Sequence, residues 1–159
     1  MSIDPVRTGQ RRVLLIATIL LAWGSVAAAL YSQHVLGMQP CPWCVLQRLL
    51  FVLLGLFAVL GLFARRLGAG LMALAGLCGM ATALWQHFVA AKSASCNLTF
   101  ADKVMAATRL DTLLPDVFEA RASCADAAVN LLGVPYEFWS LGLYAALSAA
   151  AVLVIRRAR

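Results

Sequence analysis

The sequence predicts an all-α integral membrane protein, a four-transmembrane-helix bundle with two loops on one side. Three observations predict it. Of the 159 residues, 63% are hydrophobic and only 13% are charged, with a mean hydropathy of +0.87, whereas a soluble domain usually carries about a quarter charged residues. The apolar residues gather in four blocks, about 13–31, 45–64, 67–89 and 138–155, each near the roughly 20 residues that a helix needs to cross a ~30 Å hydrocarbon core. The arginines flank those blocks at alternate ends, as positive charge does on the cytoplasmic side of a membrane.

Each block can be justified in turn. Residues 13–31 hold no charge and follow Arg7, Arg11 and Arg12. Positive residues, an apolar run and then Ala27, Ala28 and Ala29 also suggest a cleavable signal peptide. The run is long for that purpose, and cleavage would leave three helices in the same orientation, so a retained helix is expected. The second block extends back through Arg48 to Val45, and Arg65 and Arg66 separate it from the third. The third is uncharged until Lys92, and the fourth ends at Arg156, Arg157 and Arg159. Lipid offers the backbone no hydrogen-bond partners, so segments that span it must be helices. One membrane domain over 1–159 is expected, with both termini cytoplasmic.

Four crossings put all eight of those arginines on one side. The other side receives a short loop, about 32–44, and a long one, about 90–137. The long loop carries Lys92, Lys103, Arg109 and Arg121 against six acidic residues. The net charge of +6 therefore reports topology. It does not point to nucleic acid, because the basic residues do not cluster on a soluble domain.

The loops hold four of the five cysteines. Cys41 and Cys44 lie in the short loop within MQPCPWCVLQR (38–48), and Cys96 and Cys124 in the long one. This is the oxidising side of a bacterial membrane, where disulfides form and persist. Cys78, alone inside the third block, is expected to pack as a small hydrophobe. The plainest reading of the other four is a pair of structural disulfides in a non-enzymatic four-helix membrane protein. Three features weigh against it. A two-residue gap closes almost no loop, so a Cys41–Cys44 bond restrains an unfolded chain little. Cys-X-X-Cys spacing goes with lowered thiol pKa and exchangeable disulfides. A helix is expected to start near Cys44, where its N-terminus favours a thiolate, and Arg48 follows one turn later on the same face.

Arg48 close to a bilayer surface can simply reach the headgroups. Beside a Cys-X-X-Cys it also stabilises a thiolate and offers hydrogen bonds to a polar ligand head, with Gln47 adding a neutral donor and acceptor. A site there opens towards lipid, which suits a lipid-soluble electron acceptor such as a quinone. Zinc is the rival use of the four cysteines, with His34 and His87 as further ligands. Structural zinc favours paired Cys-X-X-Cys knuckles, and here Cys96 and Cys124 are 28 apart. Both histidines read first as interfacial polar residues.

The long loop reads as amphipathic from Phe100 to Ala120, broken by Pro115, and is expected to lie in the interface plane. Ser123 is expected to cap a short helix through Asn130 that ends before Gly133 and Pro135. Trp139 reads as an interfacial anchor.

Taken together, the residues Gln33-His34-Val35, Pro40-Cys41-Pro42-Trp43-Cys44 and Gln47-Arg48 resemble the first-loop signature of the disulfide bond formation protein B (DsbB) family. Cys124, followed by Gly133, Pro135, Trp139 and Gly142, resembles the end of that family's second loop. The resemblance covers essentially the whole chain. The vitamin K epoxide reductase family is mechanistically similar, but there the loop cysteines precede the Cys-X-X-Cys. The resemblance implies an inner-membrane thiol:quinone oxidoreductase that reoxidises a periplasmic thioredoxin-fold oxidase of the DsbA type. It implies that Cys96 of a Cys96–Cys124 disulfide forms the mixed disulfide with that partner. Electrons would then pass to Cys41–Cys44 through a Cys41–Cys124 exchange, and Cys44 with Arg48 would face ubiquinone or menaquinone. His87 resembles a family position near the quinone.

Overall fold

The computed structural model describes residues 5–92 and 99–156. Helix α1 (Pro5–Val35) rises to the short loop, α2 (Pro42–Phe63) returns, and α3 (Arg65–Phe88) rises again after a turn at Ala64. A single 3₁₀ turn follows at Ala90–Lys92. Three short helices then cross the top, α4 (Phe100–Thr108), α5 (Leu110–Leu113) and α6 (Pro115–Phe118). A hairpin of β1 (Asn130–Leu131) and β2 (Val134–Pro135) leads into α7 (Tyr136–Arg156), which returns to the first side.

Among the described residues, four helices are long and apolar enough to cross a membrane, at Gly9–Val35, Pro42–Phe63, Arg65–Lys92 and Tyr136–Arg156. The chain is therefore an all-α multi-pass membrane protein. Helix α3 packs along both α2 and α7, α2 packs along α1, and a lighter α1–α7 contact completes the bundle. Its centre is apolar, from Leu15 and Ala22 on α1 through Leu54 and Ala58, Ala69 and Met72, to Leu147 and Ala151 on α7. Small residues let the helices approach closely, which matters where lipid tails remove the hydrophobic drive to associate. Gly79 is such a position: a Cβ there would run into the ring of Tyr144. That ring lies flat on Phe51, with centroids 4.1 Å apart, and its hydroxyl donates to the Gln47 carbonyl at 2.8 Å. Large apolar side chains such as Leu20, Phe63, Leu67 and Leu77 stand on the outside of the bundle, where a membrane supplies their neighbours. Cys78 is also exposed. It does not pack within the protein as expected, because α3 turns that side away from α2 and α7.

The loop segment breaks where its backbone demands. Thr99 and Asp102 cap α4 reciprocally, with Thr99 N donating to Asp102 Oδ2 at 2.7 Å and Asp102 N donating to Thr99 Oγ1 at 3.3 Å. Arg109, left-handed at φ 54°, ends that helix, and Pro115 opens α6. The buried face of α4 (Ala101, Met105) and Phe118 rest on Trp43, Val45 and Leu46 at the top of α2. The helix expected from Ser123 to Asn130 does not form. Ser123 Oγ accepts from Asp126 N at 3.2 Å and donates to the Asp126 carboxylate at 2.6 Å, which makes a local turn that competes with a helix. Asn130 then pairs with Pro135 and Leu131 with Val134. Both residues between them, Leu132 (φ 54°) and Gly133 (φ 81°), have positive φ, as a two-residue hairpin turn requires.

Candidate active site

The site begins at the first turn of α2. Cys41 is its N-cap, in extended conformation, and Pro42 occupies the first turn, where a missing N–H costs nothing and a fixed φ suits the helix. The helix therefore starts slightly ahead of the expected position, and Cys44 sits inside its first turn. The Cys44 N–H donates to Cys41 Sγ at 3.3 Å, and the two sulfurs are 2.7 Å apart. Trp43, between them, is buried against Trp85 and Phe100.

The second loop is tied to the first through one carbonyl. Pro40 O accepts from Arg121 N at 2.9 Å and from Ala122 N at 3.2 Å. That docking carries Cys124 to Cys41, close enough for each thiol to shift the other's titration. The fully buried Cys41 thiol is pushed far up, first by hydrogen bonding to Cys124, then by Cys44 and by burial. The same bond to Cys41 holds the Cys124 thiol below its ordinary value. Cys41 is thus the proton-holding member and Cys124 the acceptor. Cys96 lies outside the described residues.

On its other side Cys44 meets a chain of amides. Gln47 Nε2 donates to Gln86 Oε1 at 2.7 Å, and Gln86 Nε2 donates to Cys44 Sγ at 3.3 Å. Arg48 is only 6% exposed. Its Nη1 donates to Gln33 Oε1 at 2.6 Å and to Val117 O at 3.0 Å, and its Nη2 to Ala29 O at 3.4 Å. One guanidinium thereby ties α2 to α1 and α6, turned inward instead of towards headgroups. The planar fork of Arg suits several fixed acceptors at once.

Cys44, Gln47, Arg48 and Gln86 line one end of a cavity of about 260 Å³ between α1, α2, α7 and the hairpin. Phe51, Val26 and Leu143 supply apolar wall, and Tyr136, Glu137 and Trp139 line the α7 side. An apolar cleft with a few convergent polar groups is the usual form of a small-molecule site. His87 is not among the lining residues. Its Nδ1 lies 2.7 Å from Glu137 Oε1, and its ring packs on Phe88 and Phe138. The structure thus brings together Cys41, Cys44, Cys124 and Arg48, and places His87 behind Glu137.

Three residues of this site escaped the reading of the sequence as site residues: Gln33, Gln86 and Glu137, all buried. Each is a polar side chain in or beside an apolar block, and that position could have marked it, because polar groups within a membrane span are costly and face the interior.

A protein-family model described as "Disulfide bond formation protein DsbB" matches residues 11–154. The chain is 40% identical over 151 residues to disulfide bond formation protein B of Ralstonia nicotianae, covering 92% of this chain and 94% of that one. It is 37% identical over 149 residues to the protein of the same name from Cupriavidus necator, covering 91% of each. It is 32% identical over 157 residues to disulfide bond formation protein B 1 of Pseudomonas aeruginosa, covering 92% of this chain and 96% of that one.

Proposed function

From the premise that this chain belongs to the disulfide bond formation protein B family and is a disulfide-forming oxidoreductase, we propose that it reoxidises a periplasmic thioredoxin-fold dithiol protein of the DsbA type. In this reading the electrons leave through Cys41 and Cys44 to a membrane quinone. The protein sits in the bacterial inner membrane, with both termini cytoplasmic and the cysteine loops periplasmic. The arginine distribution supports that orientation.

The observation that carries the reading is the position of Cys41 beside both Cys44 and Cys124. Starting from Cys41–Cys44 and Cys96–Cys124 disulfides, the partner's thiolate attacks Cys96 and expels Cys124 as a thiolate. The sulfur expelled by that attack is the one already packed beside Cys41. The Cys124 thiolate then attacks Cys41, forming Cys41–Cys124 and releasing Cys44. The partner's second thiol closes its own disulfide and frees Cys96. Cys96 in turn attacks Cys124 and leaves Cys41 and Cys44 as the reduced pair. Every exchange breaks one S–S bond and makes one.

A bound quinone supplies the two-electron sink that draws these exchanges forward. The cavity suits such a ligand on the chain's own chemistry, with an apolar wall for a ring and polyprenyl tail and Arg48 and Gln47 as donors near Cys44. Negative charge on Cys44 is met by the Gln86 N–H and by the α2 N-terminus. His87 is assigned to the same region, acting through Glu137. Ubiquinone and menaquinone both fit this description.

The test is a trap. The Cys44→Ser protein should lose quinone reduction altogether. Mixed with a reduced DsbA-type protein whose second thiol is replaced by serine, the unsubstituted protein should stall with that partner on Cys96 and carry a Cys41–Cys124 disulfide, with Cys44 released as a thiol. Recovery of Cys41 still bonded to Cys44 under those conditions would sink the inter-loop exchange.

A further inference from the structure

Glu137 is the one carboxyl group among the cavity-lining residues, and the sulfur relay gives it no task. It stands in the first turn of α7 and is 5% exposed. Burying a carboxylate costs free energy unless a partner offsets its lost hydration. Here the partner is His87, 2.7 Å away, whose side chain is 30% exposed and sits in the last turn of α3 at the loop end. One hydrogen bond therefore links the cavity lining to a partly exposed imidazole at the loop end of α3.

We infer that Glu137 is the acid that delivers protons into the cavity, and that His87 recharges it from the outer aqueous side. This deepens the quinone reading above and rests on it. Taking a quinone to its quinol consumes two electrons and two protons. The electron pair comes from Cys41 and Cys44 as their S–S bond forms, and those two thiols together release two protons, so the reaction balances. The difficulty is the route. Cys41 is fully buried and does not line the cavity. Cys44 acts as a thiolate, so its proton has already left and must return by another path.

The other lining groups are poor sources. Arg48 does not give up its proton. Tyr136 is a phenol, with an ordinary pKa of about 10, and serine hydroxyls are weaker acids still. Glu137 alone combines a carboxyl group in the cavity lining with a hydrogen-bonded route for resupply. The groups around it are His87 from α3, Cys44 and Arg48 across the cavity from α2, and Tyr136 on its own helix, while the polar side chains of α1 on this wall are the hydroxyls of Ser25 and Ser32. When Glu137 is a carboxylate, His87 Nδ1–H donates to it. When Glu137 is protonated, its O–H donates to a bare Nδ1. The same 2.7 Å contact thus passes a proton inward, and Nε2 remains as the second exchange position of the ring.

The test combines infrared difference spectra with single-turnover kinetics on the full-length protein loaded with a soluble ubiquinone analogue. Electrochemical reduction of the quinone should produce a carboxyl signal sensitive to D₂O, and Glu137→Gln should remove it. Glu137→Gln should also slow single-turnover oxidation of the reduced protein by about 100-fold, the lower range for a lost general acid. Quinone binding, read from quenching of tryptophan fluorescence, should stay at its wild-type strength. His87→Ala should be slow as well and recover with added imidazole, which a merely structural role would not allow. An unchanged carboxyl signal and rate in Glu137→Gln would overturn the relay while leaving the quinone reading intact. Loss of quinone binding in that variant would overturn it too, by making Glu137 a binding group. A wild-type protein that reduces no quinone would remove the quinone reading itself.

Discussion

Near the Ala64 turn, the bundle packs Leu15, Ala58, Ala69, Met72, Ala151 and Val154 into a core of aliphatic side chains. At the loop end, Gln33, Gln47, Arg48, Gln86 and Glu137 are all buried near the tips of the same four helices. Among the described residues the other half buries Thr18, whose hydroxyl turns back to Leu14 O, Arg11 near the start of α1, and the Ser148 hydroxyl, which has no hydrogen-bond partner. The difference teaches where the protein accepts the cost of polar burial. Such groups are expensive within a membrane and persist when they satisfy one another. At the loop end they do so in linked sets: Arg48 with Gln33, Gln47 with Gln86 and Cys44, and Glu137 with His87. One half of the bundle holds the helices together, and the other holds sulfur chemistry against a cavity.

That division can be sharpened by substitution. The largest effect is expected at the polar end. Arg48→Ala removes a charged donor, and such hydrogen bonds are worth about 1.5–3 kcal/mol. The apparent KM for a quinone analogue should therefore rise about 10- to 100-fold, with a smaller change in kcat. Because the guanidinium also holds Val117 O, protease cleavage within residues 109–121 should speed up. An unchanged KM would leave Arg48 as a structural tie between α2, α1 and α6.

A smaller effect separates the two neighbouring thiols. In the reduced protein Cys124 lies below its ordinary pKa and Cys41 far above it. Iodoacetamide should therefore label Cys124 at a pH below the usual thiol range, with the rate falling only as pH drops through its depressed pKa. Cys41 should stay unlabelled well above that range. Cys41→Ala removes the hydrogen bond and should raise the Cys124 titration. Peptide mass spectrometry across a pH series reads both sites, and matching titrations for the two would contradict the assigned donor and acceptor.

The smallest functional effect belongs to the packing half. Gly79→Ala drives a methyl group into the Tyr144 ring, and overpacking of this kind costs about 1–3 kcal/mol. Thermal unfolding in detergent should show a lower Tm, while turnover per folded molecule stays close to wild type. A loss of turnover larger than the loss of folded protein would mean the two halves are coupled through Tyr144 and Gln47.

The four helices were legible because block length and arginine placement do not depend on which face of a helix turns inward. The Cys41–Cys44 site was legible because a short, local motif fixes its own geometry, down to the proline that starts α2. Facing was not legible. Cys78 lies in a segment apolar all round, so no periodicity distinguishes its outward side from the side of Gly79. Gln33 stood out only as part of Gln33-His34-Val35 and Gln86 not at all, since their meeting with Arg48 and Cys44 depends on long-range packing. The stretch after Ser123 misled because a serine cap signal is shared by helices and single turns. The decisive feature there is a left-handed pair at Leu132 and Gly133, and leucine rarely announces positive φ.

The central claim is that the two loop cysteine pairs pass electrons to a quinone. The most direct measurement is quinone reduction by the purified protein, given a reduced DsbA-type dithiol protein and a soluble ubiquinone analogue. The account predicts turnover that requires each of Cys41, Cys44, Cys96 and Cys124. Absence of turnover from folded protein, across several quinones and dithiol partners, would contradict it and return the four cysteines to structural disulfides.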